Sequence, residues 1–64
     1  MNALELLNKG SNRLKLKKIN THRLDSEILL SKVLKKKREE IIINLDQKIS
    51  LKHIVKYNNL ISRR

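Results

Sequence analysis

Apolar residues recur along this chain with the period of a helix, and four segments carry the pattern. In the first, from about Asn2 to Lys17, Ala3, Leu4, Leu7, Gly10, Ser11 and Leu14 fall on one arc about 120° wide. Glu5, Asn8, Lys9 and Asn12 take the opposite side. The second, Leu24 to Leu34, is apolar almost all the way round: Leu24 and Ile28 point one way, Leu30 and Leu34 a second, Leu29 and Val33 a third. A short helix of that kind has to be wrapped by others, which places it in the middle of the fold. The third runs from Arg38 to about Leu45, and the fourth from Leu51 to Arg64, with Ile54, Tyr57 and Ile61 on one face.

Local signals fix the ends of these segments. Thr21 is the expected N-cap of the second helix, its hydroxyl accepting from a backbone N–H two or three residues on. Asp25 and Glu27 then sit in the early turns, and Lys35, Lys36 and Lys37 at the end, each where the helix dipole favours its sign. Ile41-Ile42-Ile43 has strand propensity, but a lone strand has no partner here, and Glu39 and Glu40 in front of it favour a short helix. Asn44 to Lys48 reads as a loop, and Ser50 as the cap of the last helix. Gly10 costs about 1 kcal/mol inside a helix relative to alanine. Its place on the apolar arc fits a close approach of another backbone, a tolerated glycine at the arc's edge, or a break into two shorter helices.

The predicted fold is all-α, a small four- or five-helix bundle with the Leu24–Leu34 helix central. Sixty-four residues make one domain, and such a domain has no room for an enclosed active site. Cysteine is absent, so neither disulfides nor thiolate zinc sites arise. The longest apolar runs fall far short of the ~20 residues that span a bilayer, and Glu5, Asn8 and Lys9 interrupt any signal core. A cytoplasmic, soluble protein is the expectation. The net charge of +10 suits an acidic partner, yet lysine, asparagine and isoleucine are enriched together, as an A- and T-rich genome would also produce.

Candidate chemistry is sparse. A single glycine excludes phosphate- or dinucleotide-binding loops. His22 and His53 have no carboxylate or second histidine one helical turn on, and a structural or solvent-facing role is expected for each. Asp25 and Glu27 are two residues apart and diverge on a helix, with Glu27 positioned to reach Arg23. The serines have no general base near them in sequence, and no catalytic, cofactor or metal residue is predicted. Nucleic-acid binding is disfavoured because lysine is spread over every segment and Tyr57 is the one aromatic. A helix-turn-helix would also present Ile41, Ile42 and Ile43 where polar side chains should meet bases.

The series Leu7…Gly10…Leu14, then Leu24-Asp25-Ser26-Glu27-Ile28-Leu29-Leu30…Val33-Leu34, Arg38-Glu39-Glu40 and Tyr57…Leu60-Ile61…Arg63-Arg64 resembles the N-terminal domain of the PrmC/HemK release factor glutamine methyltransferases. Ser26 stands where that family often has alanine, and His22 where it often has proline. The resemblance implies a parent enzyme that moves a methyl group from S-adenosylmethionine to the glutamine of the Gly-Gly-Gln motif in class I peptide chain release factors. It implies that residues 1–64 form the substrate-recognition domain, with cofactor and catalytic residues in a separate catalytic domain beyond this chain. No such residue is carried by this segment. The expected partners are the release factor and that catalytic domain, with no membrane.

The wide apolar arc of the last helix then suggests an interdomain contact through Tyr57, Leu60 and Arg64, and the basic surface is expected to steer an acidic release factor. The competing reading is a free-standing basic helical module that binds RNA or DNA.

Overall fold

The computed structural model describes residues 1–63, and its helices are α1 (Ala3–Leu16), α2 (His22–Leu34), α3 (Arg38–Ile43) and α4 (Leu51–Arg63). The bundle is all-α, and α2 packs against each of the other three, as its all-round apolar pattern predicts. Helix α1 runs beside α4 in the same direction. Its first residue Ala3 lies next to the segment leading into α4, and Lys17 just beyond its end reaches the last turn of α4.

The start of α1 explains how three segments hold together. Asn2 and Glu5 form a capping box: the Asn2 side-chain oxygen accepts from the Glu5 N–H at 2.9 Å, and Glu5 accepts from the Asn2 N–H at 3.4 Å. The next N–H groups of the first turn have no partner within a helix. Here the loop between α3 and α4 supplies them: Ala3 donates to the Gln47 carbonyl at 2.9 Å and Leu4 to the Leu45 carbonyl at 3.1 Å. The other end of α4 is treated likewise. Lys17 Nζ donates to the carbonyls of Ile61 and Ser62 at 3.0 and 3.1 Å, where a cation also suits the helix dipole.

The core is Ala3, Leu6, Leu7, Leu14, Leu30, Val33, Ile41, Ile49, Tyr57 and Ile61. On α1 the buried arc is rotated from the expected one: Leu6 is inside and Leu4 lies at the exposed edge. A larger correction concerns α2. Leu24 is 42% exposed, because α1, α3 and α4 cover three sides and the Leu24–Ile28 side is left as the back of the helix. Asp25, expected only as a helix-end charge, and Ser26 face inward and are buried.

Two capping expectations are also corrected. Thr21 occupies the N-cap position of α2, but its hydroxyl donates to Asp25 Oδ2 at 3.2 Å rather than accepting from a backbone N–H. Ser50 precedes α4 and its carbonyl accepts from the Ile54 N–H, while its hydroxyl lies 2.9 Å from His53 Nδ1. In each case a nearby side chain outcompetes the backbone for the hydroxyl. Lys18 and Lys35 end their helices in the left-handed region, with φ of 62° and 56°, a conformation that normally falls to glycine. The third segment is helical as expected, with Ile41 buried and Ile43 84% exposed.

Candidate functional site

Three small or polar residues from three helices meet at the centre of the bundle. Tyr57 of α4 lies with its ring over Gly10 of α1, and its hydroxyl donates to the Ser26 carbonyl of α2 at 3.3 Å. A Cβ placed on Gly10 would collide with the phenol oxygen and stand 2.8 and 2.9 Å from two ring carbons. The close approach that Gly10 suggested is real, but what approaches is a phenol ring and not a backbone. Burial pushes the Tyr57 hydroxyl up from 10.0 to about 12, against the smaller opposing effects of Ser26, Arg13 and Arg23.

Tyr57 is 0% exposed, so the expected interdomain contact through it is corrected: this side chain fills the core. Arg64, the third residue of that expectation, lies outside the described residues. Leu60 does reach the surface, half-buried in an open groove between α2 and α4.

That groove, about 320 Å³ in volume, is lined by Lys32 and Val33 of α2, by Lys35 just beyond its end, and by Lys56, Asn59, Leu60 and Arg63 from α4. Val33 and Leu60 give it an apolar floor, and four exposed cations stand around them. None of its lining residues is acidic. The helical repeat produces this arrangement, since Lys56, Leu60 and Arg63 follow one another on one face of α4. No long-range motif announced the α2 contribution; Lys32, Val33 and Lys35 come to the groove only through packing.

The remaining polar groups fasten helices together. Ser11, buried, shares a hydrogen bond of 2.6 Å with His22 Nδ1, joining α1 to the first turn of α2. Sequence reasoning missed this pair, because the two residues are eleven apart. Glu27 pairs with Arg23 at 3.4 Å, as its spacing predicted, and with Arg38 of α3 at 2.9 Å. The buried Arg38 Nε has no hydrogen-bond partner among the described residues. Asp25 and Glu27 diverge as expected, one toward Thr21 and the other toward the arginines. Among the described residues no group of three His, Cys, Asp or Glu could hold a metal ion, and no helix is long and apolar enough to cross a membrane.

These features define a class: a small all-α module that presents a cationic groove and holds its one aromatic ring inside. Residues 5–64 match the family model of the PrmC N-terminal domain. The chain belongs to that family. Comparison with curated proteins and with solved structures finds no match in either.

A ligand held by a glycine-rich backbone loop, such as a phosphate or a nucleotide, does not fit the residues present. Binding it through a backbone loop needs glycines that let the chain approach the ligand. The single glycine of this chain is buried beneath Tyr57 in the middle of α1.

Proposed function

We propose that this chain is the release-factor-recognition domain of a peptide chain release factor glutamine methyltransferase, acting in the cytoplasm. The observation that carries the reading is the family match across residues 5–64. The methyl transfer itself, to the glutamine of the Gly-Gly-Gln motif, belongs to the catalytic domain of the parent enzyme, which would also hold S-adenosylmethionine. The segment of residues 1–64 supplies affinity and orientation. A surface rich in cations, with a groove free of acidic lining, suits a protein substrate of opposite charge.

The apolar flank formed by Leu51 and Val55, 74% and 51% exposed, is left to cover the catalytic domain. Leu60 faces the opposite side of α4 and is assigned to the substrate side instead. The alternative, a free-standing nucleic-acid module, loses support from the burial of Tyr57, which removes the one ring on which a base could stack.

The two readings separate in a direct binding assay at physiological salt. The chain is titrated with a class I release factor, and separately with a single-stranded RNA and with a duplex. Saturable binding to the release factor that RNA does not displace is expected. Tighter binding to either nucleic acid than to the release factor would reverse the assignment.

A further inference from the structure

We propose that the groove between α2 and α4 is the docking site for an acidic amphipathic segment of a protein partner, seated with one aliphatic side chain on Val33 and Leu60 and carboxylates on either side. The proposal rests on the recognition role above for the partner's identity, and on the groove's own geometry for its chemistry.

Lys32, Lys35, Lys56 and Arg63 are exposed and surround a floor made by Val33 and Leu60. No lining residue neutralises them, so the positive field is left open to a ligand. On α4, Lys56 and Arg63 are seven residues apart, about 10 Å along the axis, with Leu60 between them. A complementary ligand therefore places carboxylates about two helical turns apart with a leucine-like group in the middle. That is an amphipathic acidic segment.

The groove's chemistry argues against two other occupants. A nucleic-acid backbone meets the cations with phosphates but brings no aliphatic group to cover Val33 and Leu60. With Tyr57 buried, its bases have no ring to stack on either. A second copy of this chain carries a net charge of +10 itself and would be repelled from a cationic groove.

The test compares two charge reversals of equal size. Lys32→Glu with Lys56→Glu alters the groove; Lys9→Glu with Lys15→Glu alters exposed positions of α1 away from it. Each variant, and a milder Lys32→Gln with Lys56→Gln, is checked for helicity. All are titrated with a class I release factor while the methyl signals of Val33 and Leu60 are followed by NMR. The groove reversal should weaken binding by about tenfold or more, and the α1 reversal by less than about threefold. The Val33 and Leu60 methyls should shift on binding to the unaltered chain. If the unaltered chain binds but both reversals weaken it alike, or the shifts fall elsewhere, the groove assignment is overturned and the recognition role stands. If the reversed groove variant does not fold, the glutamine variant takes its place, and unchanged affinity there overturns the assignment. If the unaltered chain does not bind the release factor, the recognition role falls. The groove is then judged with a synthetic helical peptide carrying glutamates on both sides of one leucine: binding that shifts the Val33 and Leu60 methyls upholds it, and no binding overturns it.

Discussion

Gly10, Ser26 and Tyr57 show how much of this fold depends on one side chain finding room. The ring of Tyr57 crosses from α4 to reach α1 and α2, and it fits because one neighbour has no side chain and the other contributes a backbone carbonyl. Gly10→Ala should gain about 1 kcal/mol of helix propensity yet destabilise the chain by about 2 kcal/mol overall, because the new methyl group collides with a ring that has no free space. Chemical denaturation measures it. Adding Tyr57→Phe removes the atom in the worst collision, so the double variant should be more stable than the sum of the single effects predicts.

The same residue makes stability depend on alkaline pH. Its hydroxyl is lifted from 10.0 to about 12 in the folded chain, so the neutral form is favoured by folding. That contribution is complete below pH 10 and is lost as pH rises through about 12, a loss on the order of 2 kcal/mol. Tyr57→Phe should remove this component. The chain has one tyrosine and no tryptophan, so its ultraviolet titration reports the group without interference. Ionisation at an ordinary pKa in the folded chain would contradict the burial.

The place of Gly10 on an apolar arc left three readings open, a close approach among them, and the structure selects that one. What approaches it was not legible. A helical wheel gives the direction of a residue but not the identity of its neighbour across the bundle. Tyr57 was misplaced for the same reason: a lone phenol on a broad apolar face suits an interface, unless another helix offers its hydroxyl an acceptor.

At the scale of elements, the number, order and approximate ends of the helices were readable, because apolar period and end charges agree for each. The details that failed are those set by a partner. Leu24 is apolar but lies on the one side of α2 that no helix covers, and Ser26 is polar but faces the point where Tyr57 arrives. The Asn2–Glu5 capping box is local and set by spacing alone, whereas the loop carbonyls that complete the first turn arrive only when the chain has folded.

Helix ends also carry a prediction of opposite signs. Lys18 closes α1 at φ 62°, a conformation that glycine adopts without steric cost. Lys18→Gly should raise stability by up to about 1 kcal/mol, whereas Lys15→Gly, three residues earlier within α1, should lower it by about 1 kcal/mol. Thermal melting of the two variants side by side checks both signs, and a loss of stability at both positions would contradict the left-handed geometry at Lys18.

For the whole molecule, size limits where a ligand can bind. A bundle measuring 28 × 21 × 17 Å has no interior for a substrate, so any ligand meets it on a surface. The sequence disclosed that the surface is basic, but lysines on every segment gave no sign of where the charge would act. Packing of α2 against α4 gathers four cations around an apolar floor, a grouping that no stretch of sequence contains.

The central claim is that this domain recognises an acidic protein surface through charge, and the association rate with a class I release factor tests it most directly. Measured by stopped flow between about 0.05 M and about 0.5 M salt, the rate should fall by about tenfold or more, because screening shortens the reach of the cationic field. A rate that stays flat across that range, or no association at low salt, would contradict the account.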